Sequence, residues 1–414
     1  MTLHPLLTYC QNVHPAETLD GLLEVLAGPA ARVRAAWRGP PSPGHPAPVM
    51  AAGLWLPLEV ARAIATDDAA AARVRAALDA AGLFACTANA FPVGGFHAAR
   101  VKEAVYRPTW LEPARLEFTR LACRALARLL PPGARGSVST VPVSWRAFGD
   151  ADAAGLAAAG AHLGALVADL LTLEDETGHE VAVALEPEPR CALETCAELV
   201  AFLEEHVFAG AGREALVARG LPPEGAEAAL RRLVGACVDA CHLAVVFEPL
   251  EQALDLLEAR GVRVVKAQLS AAPDLSRPVD APAGRRHLAA FAEPRYLHQT
   301  FGRRRDGGLV AAEDLPEALS ADGELTAPFA DVERLRTHFH VPLHWGGDEA
   351  LGTTRPELEA GLGALARATD HLEVETYTFD VLPPELRQGG VEAMVTAELR
   401  WAEEALRAQG VSAR

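Results

Sequence analysis

Lysine is nearly missing from this 414-residue chain, which has only Lys102 and Lys266, and bases of both kinds number 38 against 55 acids. The formal net charge of −17 leaves no broad basic face, and Arg303-Arg304-Arg305 is the one short basic cluster. Neutralising a phosphate backbone needs clustered bases, so nucleic acid is excluded as the main partner. Cysteine is scarce as well: seven residues, odd in number and irregular in spacing. That excludes a disulfide framework, and neither Cys237/Cys241 nor Cys191/Cys196 repeats as a zinc ribbon would. Reduced thiols and a cytoplasmic setting are expected. The first fifteen residues contain no basic stretch followed by an apolar one, so no signal peptide is expected. No uncharged apolar run reaches bilayer length, so no membrane insertion is expected either.

Apolar residues make up 50% of the chain, with an ordinary 22% charged, enough for a large core. Short β-type runs alternate with stretches of helical period. The expected strands are Leu6–Tyr9, Val49–Leu54, Leu83–Cys86, Ser137–Val141, Val181–Leu185, Val234–Val238, Val262–Ala267 and Leu372–Val374. Between them, helices are expected over Leu56–Ala80, Pro113–Leu130, Ala153–Thr177, Thr195–His206, Glu248–Arg260 and Arg355–Thr369, with a last one over Val391–Gln409. Eight alternating units predict an α/β fold, a closed (β/α)8 TIM barrel. The rival is an open doubly wound sheet, which usually carries a glycine-rich first turn; Cys10 to Pro15 contains no glycine. Residues 207–232 add a small helical excursion. A single domain over 1–414 is expected, with 269–340 as a long insertion after strand seven that extends the loops at the strand ends.

Val238-Asp239-Ala240-Cys241-His242 is the most informative segment. It places Asp239 at a strand tip and His242 three residues on, where both can face one cation or polar ligand. Two more apolar runs end in an acid, Glu186 after Leu185 and Glu375 after Val374, and Gln268 ends strand seven. Strand C-termini of a barrel converge on its axis whatever their separation in sequence. Glu186, Asp239, Gln268 and Glu375 therefore read as an oxygen-rich ligand set for a divalent ion, suiting Mn²⁺ or Mg²⁺ better than Zn²⁺ or Co²⁺. Taken singly, each acid reads equally as a helix cap or a loop ion pair. Glu188 competes with Glu186 in Leu185-Glu-Pro-Glu-Pro189; Glu186, nearer the strand, is preferred.

An acid after strand five, Asp-x-x-His after strand six and an acid after strand eight resemble the xylose-isomerase-like barrel superfamily of sugar and sugar-phosphate isomerases, epimerases and barrel-type apurinic endonucleases. The resemblance implies Glu186, Asp239 and Glu375 as metal ligands, with His242 beside the substrate. The histidine expected on strand seven is Gln268 here, a departure that bears on metal choice and on catalysis. Thr8-Tyr-Cys-Gln-Asn12-Val-His14-Pro15, Val105-Tyr-Arg107-Pro108, Ser139-Thr-Val-Pro142, His338-Phe-His340-Val-Pro342 and Glu375-Thr-Tyr377-Thr-Phe379 are similar to the EboE-like metabolite-traffic family over essentially the whole chain. That likeness implies the same barrel and a role in handling a secondary metabolite.

Four further residues are expected to bind substrate: His14 after strand one, Lys266 on strand seven, and His298 and His340 in the insertion. Alternation would place His338, His340 and Pro342 on one face and Phe339, Val341 and Leu343 on the other. Against this stands the plainer reading that at least half of these histidines are structural, and that Lys266 pairs with an acid. The expected partners are a small molecule and a second copy of the chain in a homodimer. Three functions stay open. One is a metal-dependent isomerase or epimerase of a hydroxy-carbonyl compound, with Glu186, Glu375 and His242 catalytic. A second is a metabolite carrier on the same barrel. The third, phosphodiester cleavage, is opposed by the acidic charge.

Overall fold

The computed structural model describes residues 5–39 and 49–413. The reading against a signal peptide begins in residues 1–4, which lie outside the described ones. Seven strands come first: β1 (Leu6–Tyr9), β2 (Met50–Trp55), β3 (Leu83–Asn89), β4 (Gly136–Thr140), β5 (Val181–Leu185), β6 (Val234–Asp239) and β7 (Val264–Leu269). Five short strands come next: β8 (Pro273–Ser276), β9 (Thr300–Arg304), β10 (Leu309–Ala312), β11 (Val332–Thr337) and β12 (Gly352–Thr353). The last is β13 (His371–Val374).

β1 to β7 and β13 make one parallel eight-stranded sheet in the order β1-β13-β7-β6-β5-β4-β3-β2. Its two ends meet. Cys10 forms a parallel bridge with Gly53. The Thr8 hydroxyl donates to the Ala51 carbonyl at 2.6 Å and accepts from the Gly53 amide at 3.2 Å. The sheet is therefore a closed (β/α)8 TIM barrel, as the alternating pattern predicts. Valine and alanine dominate its strands because both faces are covered, one by helices and one by the barrel interior.

Gly53 is where closure demands a missing side chain. A Cβ there would stand 1.6 Å from Oε1 of Glu373 and 2.7 Å from the Tyr9 carbonyl. Glu373, on β13, uses that space to pair with Lys266 of β7 inside the barrel, and Thr87 donates to it at 2.9 Å. Lys266 also donates to Ser139 at 3.2 Å, and neither Lys266 nor Glu373 reaches solvent.

The helical layer matches the sequence with local differences. The stretch Leu56–Ala80 is two helices, Leu58–Thr66 and Asp68–Ala81, because Asp67 leaves the helical conformation and its carboxylate caps the Ala69 amide at 2.8 Å. Residues 207–232 include helices Ala211–Val217 and Pro223–Leu233. Helix Ala153–Thr177 is long and apolar enough to cross a membrane by length and composition, and 44% of its most apolar window is buried here. Gly160 and Gly164 let it lie directly on the backbone of 206–212; a Cβ on either would meet a carbonyl at 2.2 Å.

The segment between β7 and helix Arg355–Ala368 is more than extended loops. It builds a five-stranded antiparallel sheet, β10-β9-β11-β8-β12, which runs past residue 340 to Thr353. Arg334 and Arg336 of β11 both pair with Asp274 of β8, which ties the sheet across its register. β11 ends at Thr337, so the chain leaving it enters the mouth of the barrel.

Candidate metal and substrate site

Every barrel strand delivers its C-terminal end to one rim, and that rim carries the acids. Asp239 is both a cap and a free carboxylate. Its Oδ1 accepts from the His242 amide and from the Ser270 hydroxyl, both at 2.8 Å, which fixes the side chain. Its Oδ2 is buried without a partner. Glu375 is held on one oxygen, Oε1, by Asn12 of the β1 end at 2.8 Å and by Asn89 of the β3 end at 3.3 Å. Glu186, just past β5, has a buried and unpartnered Oε2. Glu186, Asp239 and Glu375 each offer an oxygen within 4.8 Å of the other two.

Nitrogen comes from the inserted sheet rather than from strand seven. Nδ1 of His340 donates to the Glu375 carbonyl at 2.7 Å, which leaves Nε2 as a lone pair. That Nε2 is unpartnered and lies 3.8 Å from Oδ2 of Asp239. Burial pushes His340 down from its ordinary value and so keeps it neutral, the form that binds a cation. Gln268 sits at the register position beside Asp239, with both amide atoms buried and unpartnered, and does not line the cavity.

The carboxylates pay for their company in proton affinity. Burial pushes Glu186 well above the ordinary carboxylate range, and the charges of Glu375 and Asp239 add to it. Glu375 is pushed to about 8, first by burial and then by Asp239. Crowded buried acids with orphaned oxygens are costly unless a cation compensates them. The donor set of Glu186, Asp239, Glu375 and His340 therefore fits a divalent metal ion. One imidazole among three carboxylates admits Mn²⁺ and also makes Zn²⁺ or Co²⁺ better suited than an all-oxygen set would.

Above the acids is a small cavity of about 60 Å³. Glu186, Glu375, His242 and His340 line its polar floor, and Phe91, Phe96, Tyr296 and Tyr377 are among its aromatic walls. Phe96 packs against both tyrosines, with ring centroids 5.1 and 5.3 Å away.

The structure thus brings together Glu186, Asp239, His242, His340 and Glu375. Three residues expected at the substrate lie elsewhere. Lys266 is one layer deeper, paired with Glu373, which holds its amine well above the usual range after burial has opposed it. His298 lies between Glu293 and Asp314, 3.3 Å from each, and stacks on Phe339 at 5.5 Å. His14 is buried against the Tyr9 hydroxyl at 3.1 Å. None of the three lines the cavity.

Sequence reasoning set aside Glu188 and gave no role to Asn12 or Gln299. Glu188 is buried at the cavity, where Tyr106 donates to its Oε1 at 2.6 Å and Gln299 at 3.1 Å. The signals were present: Glu188 shares a Glu-Pro-Glu-Pro run with Glu186, and the alternation about Phe339 does put His338 and His340 on the cavity side.

No family model and no curated protein matches this chain. Solved structures similar to it include an L-ribulose 3-epimerase, 11% identical over 99% of this chain and 97% of that one, with a TM-score of 0.47. A xylose isomerase-like TIM barrel protein from Mycobacterium smegmatis, in complex with magnesium, is 11% identical over 97% and 98%, with a TM-score of 0.48. The IOLI protein with a bound zinc atom is 11% identical over 99% of each chain, with a TM-score of 0.44. At 11% identity the chemistry of the site rests on this chain's own side chains.

Proposed function

We propose that this chain is a divalent-metal-dependent epimerase or isomerase of a small hydroxy-carbonyl compound. The observation that carries the reading is the pair Glu186 and Glu375. Both are buried at the cavity floor, each near the other and near Asp239, and burial raises both carboxyls above the ordinary range, so each holds a proton more readily than a free carboxylate does.

Glu186, Asp239, Glu375 and His340 would hold a cation, which would supply Lewis acidity to the hydroxy-carbonyl head of the substrate. The protein's own groups do the rest. Asn12 and Asn89 fix Oε1 of Glu375, so its orientation survives a change of protonation. Glu186 and Glu375 exchange the proton on the carbon beside the carbonyl, one taking it and the other returning it. His242 is anchored through Nδ1 to the Pro187 carbonyl at 2.9 Å and orients a substrate hydroxyl. The aromatic walls exclude water and favour a compound with an apolar part beyond its hydroxy-carbonyl head.

The same aromatic walls favour a second reading, a carrier that binds such a metabolite without turnover, and the resemblance to metabolite-traffic proteins supports it. One experiment separates the two. Protein stripped with a chelator and reloaded with Mn²⁺, Zn²⁺ or Co²⁺ is incubated with hydroxy-ketones in D₂O and followed by NMR. Deuterium entering next to the carbonyl, and lost in Glu375→Gln, supports the enzyme. Binding with no exchange under any metal moves the assignment to the carrier.

A further inference from the structure

Beside the carboxylate site lies a second constellation, of which the proposed reaction uses only His242. His242 and His338 face each other with Nε2 to Nε2 at 3.1 Å, ring centroids 4.5 Å apart and planes near perpendicular at 80°. The other nitrogen of each ring is already committed. Nδ1 of His242 meets the Pro187 carbonyl at 2.9 Å, and a carbonyl can only accept. Nδ1 of His338 meets Oε1 of Gln299 at 2.8 Å. The orientation of that amide is set independently, because its Nε2 donates to Oε1 of Glu188 at 3.1 Å and to the Tyr106 oxygen at 2.8 Å. Both rings therefore carry their proton on Nδ1, and the two Nε2 atoms, 3.1 Å apart, are left with unprotonated lone pairs inside the protein.

Such an arrangement calls for a positive centre between the nitrogens. A metal ion is a good one. Two nitrogens 3.1 Å apart can both reach one zinc at the usual ~2.1 Å. The third donor is in place: Glu188, His242 and His338 each offer a ligand atom within 4.8 Å of the others. Tyr106 and Gln299 both bond Oε1 of Glu188, which leaves Oε2 to meet a cation. All three residues are buried and line the cavity, so a fourth position opens toward substrate.

We infer that Glu188, His242 and His338 form a second divalent-cation site, nitrogen-rich and selective for Zn²⁺ or Co²⁺, beside the carboxylate site. The inserted sheet is then a donor of ligands to both centres, His338 to one and His340 to the other. This inference does not depend on the epimerase reading, because Glu188 and His338 take no part in it and Nε2 of His242 is the one atom the two readings share.

Metal content after stripping, reloading with Zn²⁺ or Co²⁺ and dialysis tests it. Two equivalents are expected in the unaltered protein, and one in His338→Asn and in Glu188→Gln. Cobalt titration of the unaltered protein, followed by visible absorption, is expected to show two binding steps, and this needs no variant to fold. One equivalent or fewer in the unaltered protein, or two that persist in both variants, would overturn the second site. The two readings fail separately. Two equivalents without deuterium exchange keep the second site and remove the epimerase, whereas exchange with a single equivalent does the opposite.

Discussion

Nε2 of His340 stands 3.8 Å from Oδ2 of Asp239, and both atoms are buried without a partner. One comes from the chain leaving the inserted sheet and the other from the tip of β6, so the candidate metal site spans two parts of the fold. His340→Gln should weaken Zn²⁺ or Co²⁺ at the carboxylate site by about 10- to 100-fold, the scale on which metal sites respond to altered ligand surroundings. Competition with a chromophoric chelator measures this. Unchanged affinity would remove His340 from the ligand set.

Glu375→Gln and Glu186→Gln should each abolish proton exchange while leaving the fold intact. In metal-free protein each should also raise the melting temperature, because each removes one of the crowded buried acids. Added metal should stabilise the unaltered protein more than either variant. Calorimetry with and without chelator reads both effects, and equal stabilisation by metal in all three proteins would count against the site.

The ion pair beneath the site should behave as a buried one. Lys266→Met leaves the Glu373 carboxylate buried without its cation, and a loss of about 3–5 kcal/mol is expected. Adding Glu373→Gln should recover much of it. Gly53→Ala drives a methyl into the space of the Glu373 carboxylate and should cost a similar amount. Urea denaturation of the single and double variants tests the coupling; additive losses at Lys266 and Glu373 would contradict it.

Glu398, on helix Val391–Ala408, offers a pH test away from the proposed ligands. Its Oε1 accepts from the Leu343 amide at 2.9 Å and from Thr376 at 2.6 Å, yet burial pushes it up from 4.5 to about 7. The folded state therefore holds its proton more tightly than the unfolded state does. Its contribution to stability is complete below pH 4.5 and is lost as the pH rises through about 7. The slope is at most about 1.4 kcal/mol per pH unit for one proton. Glu398→Gln should flatten that part of the stability profile; an unchanged slope would place the proton elsewhere.

Much of the fold was legible in the chain because barrel units are local. A run such as Val181–Leu185 beside the helical pattern of its neighbours announces a strand and a crossover without reference to the rest. The acids at strand ends were legible for the same reason, since the C-terminal end of a parallel strand is the rim wherever it falls in sequence. The sheet inside the insertion was not. Its strands are short, mix arginine with apolar residues and pair across gaps such as Ser276 to Arg334, so no local period marks them. Lys266 misled for a related reason: its partner Glu373 is remote in sequence, and only packing reveals that Lys266, like His298 between Glu293 and Asp314, is already engaged.

The sequence by itself determined the barrel, the order of its strands, and the placing of Glu186, Asp239 and Glu375 on one rim, because alternation and strand direction are properties of contiguous residues. Tertiary structure decided which nitrogen lies beside those acids, that Gly53 makes room for Glu373, and that Nε2 of His242 and Nε2 of His338 meet 3.1 Å apart. Those outcomes depend on distances between segments tens to hundreds of residues apart, which only the closed barrel and the sheet folded over its mouth can set.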